Sequence, residues 1–347
     1  MSTKNTPFSV VSVGALALLA ASMIASAQTS PVAPLGAASQ TPQDKPEAPG
    51  QFALKAESPK FWDLVEKNAS LERVTTGFSF TEGPVWDEKG GFLYVSDEDQ
   101  NRVARVYPDG RVETVLSIGD PDGATFDQHH RLIETASVLR AIIRVAPDGQ
   151  YEVLADRYDG KKLNSPNDVV LGPDGALYFT DPTLDLVKGE KQELPYQGIF
   201  RMEDAGALKL LATDMAVPNG IAFSPDGKRL YVNDTRAGEI RVYDFIHGEI
   251  KNRRLLAKER PGRGGPDGMK VDVKGNVWVT GTSGVWVFDS HGNHLGTISL
   301  IEHAANFAWG DADFSTLYFC GRASIYKLKM KVKGFVPYVV YAKSGAP

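Results

Sequence analysis

The sequence holds a single cysteine, Cys320, in 347 residues. That excludes an intramolecular disulfide framework and a cysteine zinc cluster, and a lone thiol within an apolar run reads as a small hydrophobe. Basic residues never gather into a block, and 38 Lys and Arg stand against 43 Asp and Glu for a formal charge of −5. The positive field needed to neutralise a row of phosphates is missing, so no nucleic-acid partner is expected. A G-x-S-x-G elbow, a Walker A loop and an H-E-x-x-H pair are also lacking. Elbow hydrolases, P-loop NTPases and zincins thereby lose their usual signatures.

What is present is an ordinary globular composition, 42% hydrophobic, 23% charged and 10% aromatic, which rules out disorder and collagen. Glycine (34) and proline (21) together approach a sixth of the chain. So many punctuating residues point to short strands and turns rather than long helices.

The N-terminus stands apart. Lys4 gives a short positive region, Phe8 to Ala27 is apolar or small, and Ala25-Ser26-Ala27 has the small-x-small form that signal peptidase cuts. Residues 1–27 are read as a secretory signal, the alternative being an uncleaved anchor. The expected location is secreted, in a bacterial periplasm, with no membrane association after cleavage. Removing Lys4 with the leader leaves 37 basic against 43 acidic residues. Residues 28–60 form a Pro/Ala-rich flexible linker, carrying Pro31, Pro34, Pro42, Pro46 and Pro49, too polar and small to order themselves. A short helix is expected around Phe61 to Lys67, and residues 61–347 make one domain.

Within that domain one pattern recurs. A polar residue opens an apolar strand, a turn follows eight residues later, and a second strand rich in Leu, Tyr and Val comes next. The opening residues are Glu82, Asp122, Asn167, Asn219, Asp267 and Asn306, at spacings of 40, 45, 52, 48 and 39. Such a period fits four strands per unit. Six units make an all-β, six-bladed β-propeller with four-stranded antiparallel blades, whose radial closure protects strand edges. A leading strand near Leu71 to Thr76 or the final run Tyr338 to Tyr341 closes the ring; the sequence leaves both open. Pro-Asp-Gly at 108–110, 147–149, 173–175 and 225–227 is assigned to turns, Pro fixing φ and Gly accepting positive φ. His129-His130 falls at a turn and is expected to be solvated.

The six openers, each at the start of an innermost strand, converge on the mouth of the central channel. All are oxygen donors. Three carboxylates pressed together in a buried place cost several kcal/mol unless a cation compensates them or protons are taken up. Without His or Cys in the ring the donor set is hard, favouring Ca2+, with Mg2+ or Mn2+ behind it and Zn2+ less suited.

At these residues the chain resembles the regucalcin/gluconolactonase family of six-bladed propellers. The resemblance rests on Glu-Gly-Pro-Val-Trp at 82–86, Ser-Pro-Asn-Asp-Val at 165–169, Pro-Asn-Gly-Ile-Ala-Phe-Ser at 218–224 and Pro-Asp-Gly-Met-Lys-Val-Asp at 266–272, and covers about residues 75–330. It implies that Glu82, Asn219 and Asp267 hold the metal, that Asn167 is a further ligand or substrate contact, and that Asp267 is the general base. Asp122 and Asn306 are placed beside the ligands or against substrate hydroxyls, and His303 on a mouth-side loop that could reach over the metal. Many bacterial relatives carry a His and an Arg where this chain reads Glu134 to Arg140; only the displaced Arg140 could serve. The expectation is a metal-dependent hydrolase opening a small sugar lactone. The alternatives are a phosphotriesterase-like hydrolase on the same site, or a non-catalytic binding propeller. Oligomeric state is left open.

The leader makes a direct prediction: N-terminal sequencing of exported protein from the native host should begin at or near Gln28. Recovery of Met1 in the membrane fraction would contradict it.

Overall fold

The computed structural model describes residues 50–204, 206–259 and 265–341; the leader and the linker up to residue 49 lie outside them. Turn chemistry sets the pattern. At Gly110, Gly149, Gly175 and Gly227 φ lies between +66° and +90°, and each glycine N–H donates to the carbonyl three residues back. The four Pro-Asp-Gly segments are therefore hairpin turns, and the runs they join pair as antiparallel strands.

Six such sheets form. Blade 1 holds Thr81–Asp87, Phe92–Asp97, Arg102–Val106 and Val112–Ser117; blade 2 holds Pro121–Phe126, Leu132–Ala136, Ala141–Val145 and Tyr151–Ala155. Blade 3 is Val169–Leu171, Leu177–Asp181, Gly198–Met202 and Leu208–Ala212, and blade 4 is Pro218–Phe223, Arg229–Asp234, Glu239–Ile246 and Glu249–Lys258. Blade 5 is built on Met269–Val271, Val277–Gly281, Gly284–Phe288 and His294–Ser299, and blade 6 on Ala304–Gly310, Thr316–Gly321 and Ser324–Lys329. The first strand of each blade neighbours the first strand of the next, and blade 6 returns to blade 1. This is a six-bladed β-propeller.

Burial follows radius. Second strands such as Phe92–Asp97 and Leu177–Asp181 are buried at every residue, whereas the outer strand Tyr151–Ala155 is largely exposed. Strands covered on both faces have no reason to alternate, so they read as continuous apolar runs. Aromatic pairs fill the wedges between blades, among them Trp86 stacked on Tyr318 at 5.3 Å and Trp278 edge-on to Trp309 at 5.4 Å.

The leading strand closes the ring. Glu72–Thr76 pairs antiparallel with Ser324–Lys329 as the outer strand of blade 6. The final run does something else: Pro337–Val340 is a single helical turn, and Phe335, Val336 and Tyr338 cover one end of the apolar central channel. The Tyr338 hydroxyl donates to the Trp86 carbonyl at 2.6 Å.

Order also begins earlier than the composition suggested. Ala53–Ala56 adds a fifth strand to blade 5, opposite Gly296 to Ser299, so the linker does not run flexibly to residue 60. The helix expected at Phe61 to Lys67 is a 3-10 turn, Pro59–Asp63, capped by Ser58 and burying Phe61. Cys320 is buried and unpaired with any other cysteine, and burial pushes its thiol well above the usual range.

The channel plug yields a stability prediction. Tyr338→Phe leaves the Trp86 carbonyl without its donor and should cost about 1–2 kcal/mol in urea unfolding; a change below about 0.3 kcal/mol would show that the plug is not part of the cooperative unit.

Candidate functional site

The site is built where inner strands begin. A register shift falls between Glu82 and Val85, Pro121 and Ala124, Pro218 and Ile221, and Ala304 and Asn306. Such a bulge re-aims the side chain that opens the strand. In blades 3 and 5 the openers precede the regular ladder but stay bonded to it, Asn167 N–H to Thr180 O at 2.9 Å and Asp267 N–H to Thr280 O at 3.2 Å.

Two devices bring the openers of neighbouring blades together. The first is glycine: a Cβ at Gly83, Gly123 or Gly220 would collide with the backbone carbonyl of Asp122, Asn167 or Asp267 of the next blade, and at Gly268 with the Asn306 side chain. The second is a clasp that sequence reading missed. A polar residue on the second strand donates across the blade boundary to a backbone carbonyl at the ring. Thr135 holds Asn167 O at 2.6 Å, Thr180 holds Asn219 O at 2.8 Å, and Thr280 holds Ala305 O at 2.6 Å. Asn233 holds Asp267 O, and Cys320 lies 3.8 Å from Glu82 O. Each clasp stands 13 or 14 residues after its own blade's opener, a spacing that was present to be read.

The six openers do converge. The Asn306 amide donates to Glu82 Oε2 at 2.8 Å, and the Asn167 amide donates to Asp122 Oδ2. The Asn219 amide faces the Asp267 carboxylate, though its nitrogen completes no hydrogen bond. All are buried except Asp267, which is half-buried.

Electrostatically the ring is crowded. Burial pushes the Glu82 carboxyl up to about 7, opposed by the Gly83 N–H and the Asn306 amide. Asp122 and Asp267 are held well above the ordinary range by burial first and then by Glu82. The mouth adds carboxylates that the repeat did not reveal. Burial and neighbouring acids raise Glu98 well above its usual value and Asp120 to about 8. Asp185 is raised to about 6 by burial, partly offset by the Asn167 amide. Asp185 arrives on the loop joining the second and third strands of blade 3, where no periodicity announces it. Asp168, just below the ring, is buried and accepts from the N–H groups of Val169 and Ile221 at 3.0 and 3.2 Å.

Glu82 Oε1, Glu134 Oε2 and Asp185 Oδ2 are buried with no hydrogen-bond partner. Carboxylate oxygens without donors, in a site made only of oxygen ligands, suit a cation.

Arg140 reaches the mouth side with Nε and Nη1 committed, while its buried Nη2 has no partner. Nε donates to Leu163 O and Asn164 O at 2.6 and 3.0 Å, and Nη1 to Glu190 Oε2 and Lys191 O at 3.1 and 3.4 Å. It fastens the loops beside the mouth. His303 is half-buried in the loop leading into blade 6. His129 is exposed, but His130 is not the solvated residue expected: it stacks on Phe126 at 4.3 Å, with Nε2 3.1 Å from Asp87 Oδ1. Among the described residues Asp87, Glu88 and His130 form one compact group, at the far end of the inner strands from the ring.

Comparison with known proteins fits this geometry. The profile of the SMP-30/gluconolactonase/LRE-like region matches residues 80–321. The chain belongs to this family. The SMP-30/gluconolactonase match spans all six openers. The chain is 29% identical over 306 residues to the gluconolactonase of Zymomonas mobilis, covering 80% of this chain and 86% of that one. It is 28% identical over 255 residues to a pentonolactonase of Haloferax volcanii, 71% and 82% of the two chains. Among solved structures, a gluconolactonase from Xanthomonas campestris matches with a TM-score of 0.75 at 33% identity, over 83% of this chain and 99% of that chain.

The raised carboxyls make the fold bind protons more tightly than the unfolded chain does. Glu82, ordinarily at 4.5, sits at about 7, and Asp120, ordinarily at 3.8, at about 8. Stability from such groups is full below the unfolded values and lost as pH rises through the folded ones. In the presence of a chelator the melting temperature should fall from about pH 5 to about pH 8.5, and added Ca2+ should recover more of it at the alkaline end. A chelated melting curve that is flat or rises over that range would contradict the reading.

Proposed function

We propose that the protein is a metal-dependent lactonase that opens a sugar lactone by water attack, with Glu82, Asn167, Asn219 and Asp267 holding the ion. The observation that carries this reading is the buried, donorless Glu82 Oε1 among the crowded carboxyls of the ring, in a chain related to gluconolactonases. Calcium is the first candidate because every ring donor is oxygen and neither imidazole nor thiolate joins it. When bound, the ion supplies Lewis acidity toward the lactone carbonyl and lowers the pKa of water.

The chain's own residues do the rest. Asp267 stands half-open to the mouth, placed to take the proton of the attacking water and to return it to the ring oxygen as the C–O bond breaks. Without a cation, burial and then Glu82 hold that carboxyl's proton more tightly than usual, so base function and metal binding are linked. Asn167 and Asn219 bind and orient without adding negative charge. Asp122 and Asp185 offer acceptors to substrate hydroxyls, and the acidic mouth repels the aldonate product. The leader-type segment at residues 1–27 supports export, with the periplasm as the expected place of this activity.

Side-by-side turnover of a sugar lactone and a phosphotriester tests the reaction class. Lactone turnover abolished by chelation and restored by Ca2+ supports the proposal; preferred phosphotriester turnover would replace it. Asp267→Asn should keep most metal binding but cut lactone turnover by roughly 10² or more. Glu82→Gln should weaken metal affinity first and recover part of its rate in excess Ca2+. If saturating Ca2+ rescues both variants equally, Asp267 is only a ligand.

A further inference from the structure

The six-fold repeat is broken below the ring by two charged residues, and the two meet. One residue after the openers the blades carry Gly83, Gly123, Gly220 and Gly268, while blade 6 has Phe307 and blade 3 has Asp168. Three residues after the openers, the channel is lined by Val85, Thr125, Val170, Ala222 and Trp309, but in blade 5 by Lys270. Lys270 Nζ lies 3.8 Å from Asp168 Oδ2 and donates to Asn306 Oδ1 at 3.2 Å.

A lysine in an otherwise apolar channel, paired with a buried aspartate, carries a desolvation cost that a structural repeat has no need to incur. Their bonds lead to Glu82. Asn306 Oδ1 receives Lys270 and the Phe307 N–H, the latter at 2.9 Å, which fixes the amide so that its nitrogen faces Glu82. Glu82 Oε2 then receives two donors, Asn306 Nδ2 and Gly83 N–H, both at 2.8 Å. The remaining oxygen, Oε1, receives none. Asp168 would otherwise repel Glu82 through the same space, and Lys270 counters it.

We propose that Lys270, paired with Asp168, is a positioning residue that holds the Asn306 amide in one orientation and so turns Glu82 with its free oxygen toward the ring. The inference about metal affinity rests on the metal reading above; the inference about orientation does not. Its sign separates two roles. A lysine acting only as a nearby positive charge weakens cation binding, and its removal would tighten it. A positioning lysine strengthens binding despite its charge, and losing it should weaken affinity about ten-fold, as loss of residues supporting metal ligands commonly does.

The test uses the full mature protein. Calorimetric titration with Ca2+, without substrate, compares wild type, Lys270→Met and Lys270→Arg, and metal-free crystal structures of wild type and Lys270→Met show the Glu82 carboxylate. The expected result is about ten-fold weaker Ca2+ binding in Lys270→Met, near-wild-type binding in Lys270→Arg, and a Glu82 carboxylate turned away from Asn306. Calcium affinity that is unchanged or tighter in Lys270→Met, or an unmoved Glu82, overturns the proposal. Should wild type take up no Ca2+, the metal reading fails, and the Glu82 position in the two crystals still decides the role of Lys270. If Lys270→Met does not fold, Lys270→Gln, which lacks the charge, is read by the same measurements with the same expected direction.

Discussion

Everything at the mouth depends on one constraint: six strands must start within touching distance of a common axis. Backbones come that close only where Cβ atoms are absent and carbonyls find donors across blade boundaries. Glycines at 83, 123, 220 and 268 meet the first condition, and the clasps from Thr135, Thr180, Asn233 and Thr280 the second. Cys320 fits the same scheme. The lone cysteine sits where other blades place a hydroxyl or an amide, which gives it a structural position rather than a redox one.

That approach forces carboxyls into a space with little water. Burial is the leading cause of the shifts at Glu82, Asp122 and Asp267, and mutual repulsion adds to it. A counter-ion in the ring would ease the loss of the protons that burial holds more tightly than usual. Under the proposed function, the same crowding prepares the site for a cation and ties the ionisation of Asp267 to its presence. The scaffold tolerates this because the wedges between blades and the channel below the ring are packed with aromatic and aliphatic side chains.

Blades and loops divide the labour. Four inner strands supply their ring residue beside a register shift, and in blades 3 and 5 the residue just precedes the ladder. The blade 3 loop supplies Asp185, and Arg140 fastens the neighbouring segments at Leu163, Asn164 and Lys191 through Nε and Nη1, leaving Nη2 buried without a partner. A buried arginine on carbonyl groups stiffens the loops that frame the mouth.

The sequence by itself determined the blades, their order and the six ring residues. These follow from local signals: turn residues at fixed offsets, continuous apolar runs and a polar opener in each unit, all set by neighbours close in the chain. The clasp positions obey the same period and were legible too, but a threonine within a strand looks like any other until its cross-blade carbonyl is known. Only the tertiary structure decided the rest. It chose Glu72–Thr76 over the C-terminal run as the closing strand, because Pro337 starts a helical turn whose apolar residues cover the channel instead. It brought Asp185 to Asn167, Asp168 to Lys270, and His130 onto Phe126. Those meetings join segments far apart in the chain or on different blades, and no period encodes which of two distant side chains will share a pocket once the ring has closed.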